Sequence, residues 1–277
     1  MSDARSIGIV GLGVMGGSLA LAWKKAVGGT VRGYSPHQAE AEEARRVGAV
    51  DHVCETVAES AAEVDWWIIA TPLGALTEVW AAVDHLAPAR VMDLASLQLP
   101  ALRAAAEAGA AVRSISAHPM VGREGSGFEA ADPHLYEGGP IYLSASDEAS
   151  PSLRREAESF WRQIGAQPGW IDAATHDERM VGASHMPQLA ANALARTMAA
   201  RGLVPSDLGP GGRDMTRLAA SSPTMWRDLL GESGPRVASA LKSLTDEIGD
   251  LIRMLEARDV ESLSQRMSET QEWRTRR

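Results

Sequence analysis

The feature that most constrains this chain lies close to its N-terminus. A short apolar run, Ser6-Ile7-Gly8-Ile9-Val10, ends in Gly11-Leu12-Gly13-Val14-Met15-Gly16-Gly17-Ser18, and a helical pattern follows over Leu19 to Lys25. A strand that turns through G-x-G-x-x-G into a helix is the dinucleotide-binding fingerprint. Its chemistry belongs to the backbone. Gly11 permits the tight turn, Gly13 lets a pyrophosphate approach, and Gly16 lets helix and strand pack closely. The phosphates then sit on the free N–H groups of the helix start. Gly11, Leu12, Gly13, Val14, Met15 and Gly16 are therefore candidate cofactor-binding residues. The competing reading is a glycine-rich turn used only for packing, and the placement between a strand and a helix argues against it.

The chain continues in the same rhythm. Strands are predicted over Thr30–Tyr34, Ala49–Val53, Asp65–Ala70, Arg90–Asp93 and Ala111–Ser116, with helices over Glu40–Val47, Ala58–Glu63, Leu76–Leu86 and Pro100–Ala108. This alternation predicts an α/β fold, a Rossmann-like doubly wound parallel sheet. Trp66 and Trp67 read as buried sheet packing. Thr71 and Pro72 follow their strand on the edge where open parallel sheets bind ligands, which makes them cofactor candidates. An acidic residue at the end of the second strand would grip the ribose and favour NAD. Here Tyr34 is followed by Ser35-Pro36-His37, with no carboxylate. Ser35 could accommodate a 2′-phosphate, but no arginine adjoins it, and Arg45 and Arg46 lie further along a helix. The choice between NAD and NADP stays open, with Tyr34 and Ser35 as candidate contacts.

From about residue 170 strand-like alternation ceases. Helices are predicted over 175–200 (broken near Pro187), 213–220, 225–230, 234–255 and 260–274. Val237, Leu241, Leu244, Ile248, Leu251, Ile252 and Leu255 share one helical face, which closes the domain's own core or a homodimer, the second being the favoured reading. The predicted organisation is a dinucleotide-binding domain over 1–170 and a helical substrate and dimerisation domain over 171–277. With a net charge of −9, the chain is a poor partner for nucleic acid, and the basic tail Arg274-Thr275-Arg276-Arg277 is short. Cys54 is the only cysteine, so no internal disulfide framework is possible. No signal peptide is recognised, and no apolar run reaches the ~18 residues of a membrane span. A cytoplasmic enzyme without membrane association is expected.

The chemistry-bearing residues fall in three clusters. The first is His118-Pro119-Met120-Val121-Gly122-Arg123-Glu124-Gly125-Ser126-Gly127. His118, after a strand on the ligand edge, can take a hydroxyl proton while hydride leaves the same carbon. Ser96, after the preceding strand, can bond the same oxygen or cap the next helix. The second cluster is His176-Asp177 with Ser184-His185-Met186-Pro187. His176 and Asp177 read as a helix start, whereas Pro187 could aim His185 inward. The third is Arg213-Asp214-Met215-Thr216-Arg217. Asp214 and Arg217 are i and i+3 on one face; they form a surface pair, or Arg217 grips a substrate carboxylate while Asp214 orients a histidine. Arg213, Arg123, Glu124 and Trp226 are secondary candidates. The remaining histidines, His37, His52, His85 and His134, show no ligand spacing, so no metal site is expected.

These segments, joined by Asp93-Leu94-Ala95-Ser96 and by Pro223 with Met225-Trp226, occur in the order found in the prephenate/arogenate (cyclohexadienyl) dehydrogenases of tyrosine biosynthesis, which the chain resembles over most of its length. The resemblance implies a Rossmann domain followed by a helical dimerisation domain, and NAD(P)-linked oxidative decarboxylation of a carboxylated cyclohexadienol. It implies that His118 meets the ring C4 hydroxyl with Ser96 in support. Arg217 would bind a carboxylate, and His185, Asp214 and Arg213 would line the substrate site. One departure stands out: Gln98 occupies a position where the family usually has lysine. That removes a positive charge near cofactor or substrate and points to an altered substrate, such as a ring-modified prephenate. No regulatory ligand-binding domain is recognised after the helical segments, so tyrosine control through an added domain is not expected. Two alternatives share the architecture. A hydroxyacid or imine oxidoreductase would be expected to use a lysine in the helical domain, and residues 170–200 contain none. A non-catalytic dinucleotide-sensing dimer would not need His118, Ser96 and Arg217 together.

Overall fold

The computed structural model describes residues 5–83, 90–123 and 125–276. Their packing divides the chain less simply than a single cut at residue 170: one compact unit comprises Met1–Arg179 and Pro223–Glu232, the other Met180–Ser222 and Ser233–Arg277.

The first unit is built on an eight-stranded sheet of order β3-β2-β1-β4-β5-β6-β7-β8. The strands are β1 (Ser6–Val10), β2 (Thr30–Tyr34), β3 (His52–Val53), β4 (Trp66–Ile69), β5 (Val91–Asp93), β6 (Ser114–Pro119), β7 (Pro140–Ser144) and β8 (Gln167–Trp170). The first six are parallel in the doubly wound order, so strand order reverses beside β1. β7 then runs antiparallel to β6, and β8 is parallel to β7. The sheet is therefore mostly parallel rather than wholly so.

The antiparallel pair also corrects the position of His118. The residues from Ala111 to Arg113 form a single 3₁₀ turn, and β6 runs on to Pro119 because Ala117, His118 and Pro119 pair with Leu143, Tyr142 and Ile141. His118 is thus the penultimate residue of its strand instead of following it. Pro119, which cannot donate to a ladder, is tolerated at the strand's end.

Helices α1 (Val14–Ala26), α2 (Gln38–Arg46), α3 (Val57–Ala61), α4 (Leu76–Ala81), α5 (Gln98–Glu107) and α6 (Pro151–Gln163) cover the sheet. α1 begins at Val14, five residues before the apolar pattern suggests, because the helix starts inside the glycine turn. The helix expected to reach Leu86 is described to Ala81; Leu86 and His85 lie outside the described residues.

Strand side chains alternate between two cores, as a period of two requires. Ile7, Ile9, Trp66, Ile68, Met92 and Ile115 enter one cluster, and Val10, Trp67, Ile69 and Val91 the other. Trp66 and Trp67 are 1% and 0% exposed, so both are packing residues. Trp23 stacks on Phe160 at 4.8 Å, and Trp67 meets Trp80 edge-on at 5.7 Å. Each buried ring removes ~150–250 Å² from water, roughly 4–6 kcal/mol of gross stabilisation before ordering costs.

Past β8, α7 (Ala173–Met180) gives way to a π-helical turn over Val181–His185, then to α8 (Met186–Ala200). Pro187 lies in the first turn of α8, where its missing N–H costs nothing. The widened turn therefore precedes the proline that sequence reading takes as the break. In the second unit, α9 (Pro210–Thr216) ends in a 3₁₀ turn over Arg217–Ala220, and α11 (Val260–Thr275) starts on an Asp259 cap. The two helices expected over 225–230 and 234–255 are one element, α10 (Pro223–Glu256), with Pro235 inside it. An internal proline costs a helix ~3 kcal/mol.

Candidate active site

The C-terminal ends of β1, β4, β5 and β6 lie side by side. They carry the glycine turn at Gly11, the Thr71-Pro72 exit, Ser96 and His118 respectively. The sheet thus gathers on one edge residues that the sequence scatters over more than a hundred positions.

The glycine turn fits a dinucleotide. Gly11 has φ of +92°, and a Cβ there would lie 2.6 Å from the Ala70 carbonyl oxygen. At Gly16 a Cβ would lie 1.9 Å from the Gly11 carbonyl oxygen, so helix and turn touch backbone to backbone. Nothing approaches within 4 Å of a Cβ placed on Gly13, which is the face a pyrophosphate needs. Gly13 caps α1 without a side-chain hydrogen bond, leaving the first N–H groups of the helix to an anion. Thr71 adds a buried hydroxyl that has no protein partner among the described residues. Leu12 is fully buried, so only its backbone can serve a ligand; Val14, Met15 and Tyr34 are half-buried, and Pro72 is exposed. The Gly11 N–H donates to the Tyr34 carbonyl at 2.8 Å, which fixes the turn against the end of β2.

The turn is also braced from the segment after His118. The Tyr136 hydroxyl donates to the Met15 carbonyl at 2.7 Å, the Asp132 N–H donates to the Ser18 hydroxyl at 2.9 Å, and the Phe128 ring lies where a Cβ on Gly17 would be, 2.7 Å away. Burial pushes the Tyr136 phenol well above its ordinary range, so it stays a donor. Arg123 is held at the surface by Asp132 at 2.9 Å. Glu124 lies outside the described residues.

His118 is half-buried, and its Nδ1 lies 2.9 Å from Nε2 of His176. Nδ1 of His176 lies 2.8 Å from an Asp177 carboxylate oxygen, and both residues are 0% exposed. The two carboxylate oxygens accept the Gln98 N–H at 2.8 Å and the Leu99 N–H at 3.0 Å. These are the first N–H groups of α5, whose own cap residue, Leu97, offers none. Asp177 thus does occupy a helix N-terminus, but that of α5 and not of its own helix, which begins at Ala173. Such a cap is worth ~0.5–2 kcal/mol, and the positive end of the helix stabilises the carboxylate further.

A carboxylate that accepts backbone N–H bonds also accepts from Nδ1 of His176. In the tautomer that gives the Nδ1 proton to Asp177 alone, Nε2 of His176 accepts from Nδ1 of His118. The lone pair of His118 then lies on Nε2. His118 is thus tied through the buried His176 to the Asp177 carboxylate. Neither His176 nor Asp177 is visible in this role from sequence, because Gln98 and Asp177 are 79 positions apart.

Gln98 is 0% exposed. Its Nε2 donates to the Tyr142 carbonyl at 2.8 Å, and its Oε1 accepts from the Ser144 hydroxyl. The amide therefore stitches α5 to β7. Beneath Ser96, Asp93 is buried between the Ser116 hydroxyl at 2.9 Å and the Ala95 N–H at 3.1 Å. Burial pushes its carboxyl up to about 7, against the lowering effect of those two donors.

Within the second unit His185 closes the π-helical turn and is buried. Arg213, Asp214 and Arg217 are exposed, and Arg213 donates to the Leu208 carbonyl at 2.5 Å. No ion pair joins Asp214 to Arg217 among the described residues. No group of three or more metal-ligating side chains occurs among those residues, and no helix among them is long and apolar enough to cross a membrane.

A doubly wound sheet with a glycine cradle on one strand end and a hydrogen-bonded histidine pair at another is the architecture of a dinucleotide-dependent oxidoreductase. Residues 19–168 match the family model of the prephenate dehydrogenase nucleotide-binding domain, and residues 172–269 that of the prephenate dehydrogenase dimerization domain. The chain belongs to the prephenate dehydrogenase family. Among curated relatives, the cyclohexadienyl dehydrogenase of Zymomonas mobilis is 25% identical over 285 residues, covering 99% of this chain and 96% of that one. The prephenate dehydrogenase of Bacillus subtilis is 28% identical over 273 residues, 92% of this chain and 71% of that one. The fold matches the crystal structure of the prephenate dehydrogenase of Aquifex aeolicus in complex with hydroxyphenyl propionate and NAD+, with a TM-score of 0.89, 24% identity and coverage of 99% and 98%.

Proposed function

We propose that this enzyme catalyses NAD(P)-dependent oxidative decarboxylation of prephenate or arogenate in tyrosine or related aromatic biosynthesis. Relatives named prephenate, cyclohexadienyl and arogenate dehydrogenases support the substrate class. The observation that carries the reading is the ordered Asp177–His176–His118 chain at the ligand edge of the sheet.

Gly11, Leu12, Gly13, Val14, Met15 and Gly16 would hold the pyrophosphate, Tyr34 and Ser35 the adenosine end, and Thr71 and Pro72 the other half. When bound, the nicotinamide supplies the hydride acceptor. His118 takes the proton of the ring C4 hydroxyl on Nε2 as the C4–H bond breaks. Ser96 holds the same oxygen. The bond from C1 to the ring carboxylate then breaks, its electron pair enters the ring, and CO₂ departs. The resulting phenolate takes its proton back from His118, so the base is restored without a net proton. Aromatisation makes the sequence downhill. Arg217 grips a substrate carboxylate as a two-pronged donor, and His185, Asp214 and Arg213 line the substrate site. Positioning and one oriented base suffice for these steps.

A homodimer formed through the helical domain is part of the same reading. Ile248, Ile252 and Leu255 are 48%, 49% and 61% exposed on one face of α10, an apolar stripe suited to a second copy. The enzyme is placed in the cytoplasm, where a lone buried cysteine stays reduced.

The test is a two-by-two assay of prephenate or arogenate with NAD+ or NADP+. Reduced-nucleotide absorbance with at least one pair is expected, and failure of all four would overturn the substrate assignment. His118→Asn should abolish turnover with dinucleotide affinity near normal, and Arg217→Ala should raise KM. An active His118→Asn enzyme, or an unchanged KM, removes that residue from its role.

A further inference from the structure

We propose that Glu40 makes this enzyme select NAD over NADP. The inference rests on the dinucleotide reading above and sharpens it at the adenosine end.

The sequence places no acid at the end of β2. The structure supplies one from elsewhere. Ser35, the residue after β2, is 8% exposed. Its hydroxyl donates to the Glu40 carboxylate at 2.8 Å and accepts the His37 N–H at 3.2 Å. Glu40 lies in the first turn of α2, whose start is turned back by the Glu40 N–H to the His37 carbonyl at 3.0 Å. The carboxylate is thereby returned to the tip of the strand that Gly11 is tied to. Its other oxygen lies 3.2 Å from where a Cβ on Gly127 would be, so it also borders the segment after His118.

Two consequences follow for a bound adenosine ribose. The single proton of the Ser35 hydroxyl is committed to Glu40, so Ser35 has none to offer a 2′-phosphate. A ribose with a free 2′-hydroxyl can instead donate to the carboxylate, as acids in this part of a dinucleotide site do. A 2′-phosphate would bring about −1.5 to −2 charges against a carboxylate. Among the described residues no lysine or arginine bonds Ser35 or Glu40 to offset that repulsion. Arg46 is paired with Glu43 at 2.6 Å, and Arg32 donates to the Glu59 carbonyl at 3.0 Å. An arginine is what a 2′-phosphate site needs.

The experiment is calorimetric titration of the purified enzyme with NAD+ and with NADP+, without substrate, together with a melting temperature for each variant. The wild type should bind NAD+ at least about 100-fold more tightly, equivalent to about 2.8 kcal/mol at 1.4 kcal/mol per tenfold. Glu40→Gln keeps shape and removes charge. It should bring the ratio below about tenfold, chiefly by tightening NADP+. Ser35→Asp added to Glu40→Gln returns a carboxylate to the strand end and should restore the preference. A purely structural Glu40, serving only as the partner of Ser35, would lower the melting temperature and leave the ratio alone. That result overturns the proposal, as does a wild-type enzyme that binds NADP+ as tightly as NAD+. The wild-type ratio decides even if Glu40→Gln does not fold. Binding of neither dinucleotide would overturn the cofactor reading itself, which distinguishes that failure from a wrong selectivity.

Discussion

Replacing Asp93 by asparagine removes a charge that the fold opposes. Asp93 is 5% exposed, and its carboxyl is pushed up to about 7 from 3.8 by burial. The protonated acid is the form the folded chain prefers, so ionisation is a cost of folding that grows with pH. The sign follows from proton counts. Between 3.8 and about 7 the folded state holds a proton that the unfolded state has lost, so stability falls as pH rises through this window and levels above it. At ~1.36 kcal/mol per pH unit, the rise from 3.8 to about 7 amounts to about 4 kcal/mol, of which about 2.5 kcal/mol develops between pH 5 and pH 8. The asparagine side chain keeps an oxygen for the Ser116 hydroxyl and the Ala95 N–H but cannot ionise. The stability of the Asp93→Asn variant relative to the wild type should therefore climb by roughly 2–3 kcal/mol from pH 5 to pH 8 and stay flat beyond. Urea titrations at pH 5, 6, 7 and 8, followed by tryptophan fluorescence, measure this; Trp23, Trp66, Trp67 and Trp161 are all buried in the same unit. A difference that is constant across those pH values would refute the reasoning, whatever its size.

Three further outcomes are expected. Gly16→Ala puts a Cβ 1.9 Å from the Gly11 carbonyl oxygen, so the turn must open; dinucleotide affinity should fall at least about tenfold and stability by ~1–3 kcal/mol, and unchanged calorimetric binding would remove the turn from the cofactor site. Asp177→Asn unfixes the tautomer of His176 and should lower kcat by roughly 10²–10⁴ with dinucleotide affinity near normal; a kcat within about twofold of wild type would show that the relay does not set the base. Glu substituted at both Ile252 and Leu255 should give a monomer by sedimentation, and a persistent dimer would move the interface off this stripe.

The sequence makes the ligand edge legible because each of its parts is local. A glycine turn, a strand exit at Thr71 and a histidine at a strand end all lie within short windows. What escapes is whatever depends on chain reversal. Pro140–Ser144 takes its direction from pairing with β6 and Gln167–Trp170 from pairing with β7, and a Gly138-Gly139-Pro140 lead-in carries no such information. Gln98 reads as a lost charge, and its bonds to β7 are not legible because Tyr142 lies 44 positions on. His176 and Asp177 read as a helix start, since the helix that Asp177 caps lies 79 positions upstream. Glu40 is hidden differently: a strand-end acid is sought at position 35, and the carboxylate arrives from the next helical turn. The gap expected between 230 and 234 is absent, since one helix runs from Pro223 to Glu256.

The link from Asp177 to the start of α5 also sets an order of events in biosynthesis. When a ribosome has delivered His118, the nascent chain already holds the glycine turn and the parallel strands as far as β6. It still lacks β7, α6, β8 and the helix that carries His176 and Asp177. The same Asp177 carboxylate that closes the N-terminus of α5 reaches His118 through His176, and contacts so far apart in the chain form late. A chain in which α7 has not docked lacks the hydrogen bonds that tie His118 to Asp177 through His176.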